Sequence, residues 1–141
     1  MDMKLLDTPA SKSQDQKNLL AIFNAALAAV DPCHAVLNAV KAESDFLYVA
    51  DTKYDLQSFD RIVVVGAGKA TARMALAVES LLGEKIAAGL IVVKDGHTAA
   101  LSIIGQAEST HPVPGETGVV ATARILDMAR AATTPVSPGT G

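Results

Sequence analysis

The sequence IVVVGAGK at residues 62–69 decides the fold. Four β-branched aliphatic residues in a row predict a strand covered on both faces, as strands of parallel sheets are. Gly66 and Gly68 break the strand, and over residues 69–82 apolar side chains recur at helical spacing. A second run, LIVV at residues 90–93, follows the helix. These segments predict one strand–helix–strand unit, about as long as a parallel crossover of roughly 30 residues requires.

The residues before this unit predict two helices and a connection. Ser13 and Gln16 have the spacing of a capping box, and the apolar pattern behind them predicts a helix over residues 15–30. An Asp-Pro pair then supplies an N-cap and a first-turn proline, so a second helix is predicted over residues 32–42. Residues 43–60 have a mixed composition. They predict a connection with one or two turns or a short strand.

The residues after the unit predict a third strand, a loop and a final helix. Residues 101–104 are apolar enough to begin the strand, and the proline-rich residues 110–116 predict the loop. Helical spacing resumes over residues 116–131. We expect this helix to turn Val119, Ala123 and Leu126 toward the core.

The whole pattern predicts an α/β chain: a three-layer α/β/α, Rossmann-like sandwich with a mainly parallel sheet, forming an incomplete part of a larger domain. Residues 1–12 are polar and patternless, which predicts a mobile N-terminal segment. Residues 13–131 are predicted to form the Rossmann-like domain. Residues 132–141, which contain proline, glycine, serine and threonine, predict a linker-like tail.

Composition argues against several partners and compartments. Of the 141 residues, 12 are Lys or Arg and 15 are Asp or Glu, and the bases form no cluster, so nucleic acid is not an expected partner. The longest apolar stretches are too short for a signal peptide or a membrane span, so no membrane association is expected. The single cysteine, Cys33, has no internal disulfide partner. These features predict a cytoplasmic protein.

The turn after the first strand is the best candidate site. Where a parallel strand feeds a helix through glycines, backbone N–H groups and the positive helix end converge at the carboxyl edge of the sheet. Gly66, Ala67 and Gly68 would let an anion approach the backbone, and Lys69 would add a full positive charge. Anion binding is therefore the favoured interpretation.

Two other interpretations of this turn stay open, and one fails. A Walker A loop needs four residues between its glycines and Ser or Thr after the lysine, which this turn lacks. A dinucleotide fingerprint is matched in part, because Gly66 and Gly68 fit, Thr71 replaces the third glycine, and Asp95 could reach a ribose. The glycines could also serve only to pack the helix closely on the strand.

Three motifs in order resemble the amino-terminal domain of type II glycerate kinases, the glycerate 2-kinases that carry a MOFRL carboxyl domain. They are IVVVGAGKATARMA at residues 62–75, GLIVVKDGH at residues 89–97 and HPVPGE at residues 111–116. The sequence AVDP at residues 29–32 resembles an early helix junction of that family. The similarity covers about residues 16–131. Some members of the family have been called hydroxypyruvate reductases.

The resemblance implies transfer of the ATP γ-phosphoryl group to a hydroxyl of D-glycerate, a small-molecule substrate, with Mg²⁺ as cofactor. It implies a catalytic role for Lys69 near the transferring phosphate. The loop of His111 would border the substrate, and His97, which also follows a predicted strand, is a second candidate contact. Neither the residues nor the resemblance assigns a metal ligand, and a homodimer is left open.

Alternative functions follow from the same residues. An NAD(P)H-dependent hydroxypyruvate reductase would bind its cofactor at the same turn, and a non-catalytic module would only bind an anion there. The later glycine-serine segment and carboxyl domain of the family do not appear before Gly141. We therefore expect the 141-residue chain to be inactive as a kinase by itself.

Overall fold

The computed structural model describes residues 13–113 and 115–133, and the chain divides into two compact units, residues 1–31 and 32–141. The first unit holds helix α1, Gln14–Ala29. Its predicted capping box is confirmed, because the N–H of Gln16 donates to Ser13 Oγ at 3.3 Å and the N–H of Ser13 donates to Gln16 Oε1 at 3.0 Å. These two bonds satisfy N–H groups that a helix start otherwise leaves unpaired.

The second unit begins with a short helix and an antiparallel sheet. Helix α2 is Pro32–Ala39, and the strands are β1, Val40–Glu43, β2, Phe46–Val49, and β3, Thr52–Asp55. The helix predicted over residues 32–42 was therefore too long, and the predicted connection over residues 43–60 contains two strands.

The reason lies in the turns between these strands. Ser44 has φ 50° and Ala50 has φ 49°, so non-glycine residues hold the left-handed turn positions. The glycine signal that normally marks a hairpin is absent from the sequence here.

The second sheet is parallel, with the order β4-β5-β6. Its strands are β4, Ile62–Ala67, β5, Ile86–Lys94, and β6, Gly105–Ser109. Helix α3, Thr71–Leu82, joins β4 to β5 and confirms the predicted strand–helix–strand unit. Two details differ from the prediction. Strand β4 continues through Gly66 to Ala67, and Lys69 lies in the turn before α3 and outside the helix.

Helices cover both faces of the parallel sheet. On one face Ala72 and Ala75 of α3 pack with Ile91 and Val93, each of which is only 1% exposed. Burying such a side chain stabilises the fold by about 1.5–3 kcal/mol. On the other face, helix α4, Glu116–Thr133, packs on β4, β5 and β6. Val92 lines a cavity with α4, because side chains alternate between the two faces along a strand. The mixed α/β fold with a parallel sheet is thus confirmed.

A carboxylate holds the segment between β5 and β6. Glu79 of α3 accepts the backbone N–H groups of Ser102 at 2.6 Å, Ile103 at 3.1 Å and Ile104 at 3.0 Å. Burial raises the pKa of Glu79, but these three N–H donors together lower it further, so the pKa lies below its usual 4.5. Because these N–H groups bond to Glu79, residues 101–104 form a loop, and the third strand begins at Gly105.

The end of α4 is tied to the start of β4. The Arg61 guanidinium donates to the carbonyl of Ala131. The helix ends at Thr133, two residues beyond the domain end predicted at residue 131. The predicted mobile segment, residues 1–12, and the rest of the predicted tail, residues 134–141, lie outside the described residues.

Within the part of the chain that the structure describes, no helix taken singly is long and apolar enough to cross a membrane. Helices α1 and α2 meet that test only when they are counted together across the break between them.

Candidate anion-binding site

A cavity of about 540 Å³ opens at the carboxyl end of the parallel sheet. Its walls come from the turn after β4, the end of β5, the loop after β6 and one side of α4. The lining residues are Ala67, Gly68, Lys69, Val92, Val93, Lys94, Ser109, Thr110, His111, Pro112, Gly118, Val119, Thr122, Ala123 and Leu126. Ligands of α/β proteins gather at this edge of the sheet, so the cavity lies where the sequence predicted a site.

The glycine turn between β4 and α3 has two separate reasons for its glycines. A Cβ on Gly66 would lie 2.7 Å from Thr71 Cγ2, so this position admits no side chain without a shift of the threonine. Gly68 has φ +123°, a conformation that L side chains rarely adopt. The packing interpretation therefore holds for Gly66. Gly68 is needed instead for the backbone conformation of the turn that borders the cavity.

The backbone N–H groups of this turn are not all available to a ligand. The N–H of Gly68 donates to the carbonyl of Val92 at 2.9 Å, which extends the pairing of β4 with β5. The N–H of Gly68 is therefore not among the donors of the turn that could hold an anion. Among the described residues, no hydrogen bond uses the N–H of Lys69 or Ala70.

The start of α3 is electrostatically suited to an anion. Its N-cap is Ala70, whose side chain cannot accept a hydrogen bond from the first turn. A helix start carries a partial positive charge that arises from its unpaired N–H groups. Lys69 adds a full charge beside it, an arrangement that the helix dipole disfavours unless an anion joins it.

The cavity is positively charged as a whole. Lys69 and Lys94 both line it, and no Asp or Glu is among its described lining residues. Neither lysine makes a salt bridge or a side-chain hydrogen bond within residues 13–113 and 115–133. Two lysines that form no salt bridge, beside a lining without acidic residues among those described, raise the local concentration of anions.

Sequence reasoning missed Lys94. The available signal was its place as the last residue of β5, because the ends of neighbouring parallel strands meet at one edge of the sheet. Within the motif at residues 89–97, the prediction named Asp95 and His97 instead. Neither of these two side chains lines the cavity in the part of the chain that is described.

His111 lies at the cavity, in the loop between β6 and α4. Its peptide bond to Pro112 is cis. The hydroxyl of the adjacent Thr110 donates to the carbonyl of Val113 at 2.7 Å, which holds the loop in a tight turn. The structure thus brings together Lys69 and His111, two of the residues that the sequence singled out.

His97 lies in a turn beyond the cavity. Its N–H donates to the carbonyl of Lys94 at 2.9 Å, and its Nδ1 lies 3.1 Å from the carbonyl oxygen of Asp95. The carboxylate of Glu108 accepts the N–H of Gly96 at 2.6 Å and fixes the same turn. His97 is therefore a turn residue in this geometry and is not among the described residues that line the cavity.

One side of α4 forms an apolar wall. The predicted core residues Val119, Ala123 and Leu126 line the cavity, and Val119 and Leu126 remain 64% and 50% exposed. The buried residues of α4 are Gly118 and Ala121. The predicted orientation of the helix was therefore wrong. Helical periodicity identifies an apolar face but does not say whether that face meets the sheet or an open cavity.

No metal centre is formed by the described residues. Across residues 13–113 and 115–133, no three His, Cys, Asp or Glu side chains gather in a way that could hold a metal ion. The lysines and backbone N–H groups at the cavity are donors of the kind that bind phosphate or carboxylate oxygens.

Comparison with known proteins supplies the family. The fold and site define an α/β domain with a positively charged cavity at the carboxyl edge of a parallel sheet. Residues 18–136 match the family described as "Domain of unknown function (DUF4147)", and the chain belongs to this family.

Its relatives include proteins named as kinases of glycerate. The glycerate 2-kinase of Pyrococcus horikoshii is 32% identical over 109 residues, which cover 77% of this chain and 24% of that protein. The D-glycerate 2-kinase of Thermotoga maritima is 39% identical over 72 residues, or 50% of this chain and 17% of that protein. A protein of Agrobacterium vitis, named provisionally as a hydroxypyruvate reductase, is 36% identical over 108 residues, or 77% and 22%. The chain spans less than a quarter of the length of these relatives.

Two solved structures resemble the fold of this chain. A crystal structure of a Pyrococcus horikoshii protein matches with a TM-score of 0.72 and 29% identity, over 87% of this chain and 27% of that one. The glycerate kinase of Thermotoga maritima matches with a TM-score of 0.60 and 31% identity, over 79% and 24%. The resemblance to glycerate kinases, first indicated by three sequence motifs, is confirmed.

Proposed function

We propose that this chain is the amino-terminal portion of a glycerate 2-kinase, which transfers the γ-phosphoryl group of ATP to a hydroxyl of D-glycerate. One observation carries the proposal: the cavity holds Lys69 at a helix start and has no acidic lining residue among those described. The names of the Pyrococcus and Thermotoga relatives support the same reaction.

In this proposal Lys69 is the catalytic residue. The substrate hydroxyl oxygen forms a bond to the γ-phosphorus, the bond from that phosphorus to the β–γ bridging oxygen breaks, and ADP leaves. The hydroxyl proton passes to a base that the described residues do not identify. The Lys69 ammonium offsets negative charge on the phosphoryl oxygens during the transfer. The N–H groups of Lys69 and Ala70 supply further donors.

The substrate would lie between the glycine turn and the loop of His111. Because Thr110 holds that loop through its bond to Val113, His111 is presented to the ligand from a fixed backbone. Positioning of this kind contributes to phosphoryl transfer because donor and acceptor must meet in line.

The described residues suit ATP better than Mg²⁺. The donors of the turn suit the phosphates of ATP, whereas the described residues supply no ligand set for Mg²⁺, so no step above depends on a metal bound by this chain. Kinase chemistry needs nucleotide, metal and acceptor together. We therefore expect the 141-residue chain to bind phosphate-bearing ligands without catalysing transfer.

Two measurements on the 141-residue chain test the proposal. Amide NMR titration with ATP is expected to shift the signals of Lys69 and Ala70, and Lys69→Ala is expected to weaken ATP binding by about tenfold to a hundredfold, the worth of a charge-assisted hydrogen bond. Lys41→Ala, which removes an exposed lysine of β1, is the matched control. An ADP-release assay with D-glycerate is expected to show no turnover.

Two results would contradict the proposal. ATP binding that Lys69→Ala leaves unchanged would remove the catalytic assignment. Saturable binding of NADH at the same turn, in preference to ATP, would favour the reductase instead.

A further inference from the structure

We infer that Lys94 is a second cationic binding residue of the cavity and that, with Lys69, it selects ligands carrying two neighbouring anionic groups. Such ligands include a phosphorylated sugar acid, with a phosphate and a carboxylate, and the pyrophosphate portion of a nucleotide. The inference rests on the proposed function for the identity of the first anion site and adds a residue to it.

The strand register brings the two lysines to the same edge of the parallel sheet. Ala67 of β4 pairs with Val92 of β5, Lys69 follows Ala67 by two residues, and Lys94 follows Val92 by two. Neighbouring strands lie about 4.8 Å apart, so the two backbones reach the cavity side by side. The bond from the N–H of Gly68 to the carbonyl of Val92 keeps this alignment beyond the last paired residues.

The backbone of Lys94 is fixed from both sides. It pairs with Ser109 of β6, and its carbonyl accepts the N–H of His97 at 2.9 Å. Lys94 therefore enters the cavity from a strand end that β6 and the following turn hold in place, whereas Lys69 enters from a turn. A cation held on a regular element loses less freedom on binding than one on a loop.

Charge at the cavity supports a ligand with two anions. Lys69 and Lys94 face a space without an acidic lining residue among those described, and neither has an acidic partner there. One bound monoanion would leave one ammonium group uncompensated beside the apolar wall of α4. Two linked anionic groups would compensate both, and the second would bind at little further cost in freedom.

Binding measurements at constant ionic strength test this inference in the 141-residue chain. The probes are inorganic phosphate, 2-phosphoglycerate and ADP. Lys94→Gln is expected to weaken at least one of the two-anion probes about tenfold and to change phosphate binding by less than about twofold. Lys69→Gln is expected to weaken all three probes. Lys94→Arg, which keeps the charge, is expected to restore most of the lost affinity.

Controls and contrary outcomes separate the two proposals. Lys41→Gln removes the same charge outside the cavity and is expected to change nothing beyond the small general effect of net charge. Comparing 2-phosphoglycerate with ADP shows which ligand the second lysine serves. If Lys94→Gln binds both two-anion probes like the wild type while Lys69→Gln does not, the inference falls and the proposed function stands. If the wild type binds none of the probes, the proposed function falls with it.

Discussion

The two sheets of this molecule differ in how deeply they are buried, in how well the sequence predicts them and in whether they border the candidate site. The parallel sheet β4-β5-β6 is covered by helices, and its central strand holds the largest fully buried side chains among the described residues, Ile91 and Val93. The antiparallel sheet β1-β2-β3 is more exposed, and the four residues of β3 are all exposed. The candidate site lies at the carboxyl edge of the parallel sheet. The buried sheet therefore forms the core of the fold and borders the candidate site.

The polar contacts of the antiparallel sheet and its turns lie at the surface. The Lys53 ammonium lies 3.6 Å from the ring centroid of Phe46 and 5.7 Å from that of Tyr48, and Lys85 pairs with Asp45 at 3.6 Å. Exposed contacts of these kinds contribute about 1 kcal/mol or less each. We therefore expect substitutions of the exposed residues of this sheet and its turns to have small effects on stability.

A matched pair of valines gives the largest expected difference in stability between the two sheets. Val93→Ala in β5 removes two methyl groups from a side chain that is 1% exposed, so we expect a loss of about 2–3 kcal/mol in the free energy of unfolding. Val49→Ala in β2 starts from a side chain that is 38% exposed, and we expect a loss below about 1 kcal/mol. Urea denaturation of both variants measures the difference. Equal losses would contradict the contrast between the sheets.

The loop that leads into β6 gives a pH-dependent test. Glu79→Gln replaces a carboxylate that accepts three backbone N–H groups, and we expect a loss of about 1–2 kcal/mol at pH 7. Because the pKa of Glu79 is lowered in the folded state, its stabilisation is present above pH 4.5 and is lost as the pH falls through the folded pKa.

Unfolding measured from pH 7 down to pH 3 checks this prediction. The difference between wild type and Glu79→Gln is expected to shrink below pH 4.5. Glu84→Gln, at an exposed residue after α3, is the control and is expected to track the wild type. A difference that stayed constant with pH would show that the charge of Glu79 does not stabilise the loop.

The smallest expected change in stability concerns two residues with a positive φ, one in the antiparallel sheet and one beside the parallel sheet. Ala50→Gly in the antiparallel sheet relieves a non-glycine residue at φ 49°, and we expect a gain of about 0.5–1 kcal/mol. Gly68→Ala beside the parallel sheet adds a side chain at φ +123°, and we expect a loss of about 1 kcal/mol or more. Thermal unfolding of the two variants should shift in opposite directions, and shifts of the same sign would contradict the prediction.

Much of the buried half could be predicted from residue pattern. Outside that half, the capping box of α1 was confirmed. Within it, the runs at residues 62–65 and 90–93 and the helix between them were confirmed. These features depend on local periodicity and on burial that covers both faces of a strand. The family could also be predicted, because its three motifs lie in order along the chain.

The exposed half and part of the site could not be predicted in the same way. Strands β1 to β3 are four residues each, too short for a clear alternation, and their turns use Ser44 and Ala50 in place of glycine. Lys94 was missed and His97 was favoured, although the two are only three residues apart. Which of them meets the cavity depends on where β5 ends.

The sequence by itself determined the parallel strand–helix–strand unit, the positive charge after its first strand and the family of the chain. Only the tertiary structure decided that Lys69, Lys94 and His111 surround one cavity, that the N–H of Gly68 is bound to Val92, and that one face of α4 meets open space. The physical reason is that local pattern fixes which residues prefer a strand or a helix. Strand register and helix packing fix which distant side chains meet, and those depend on contacts across the whole unit.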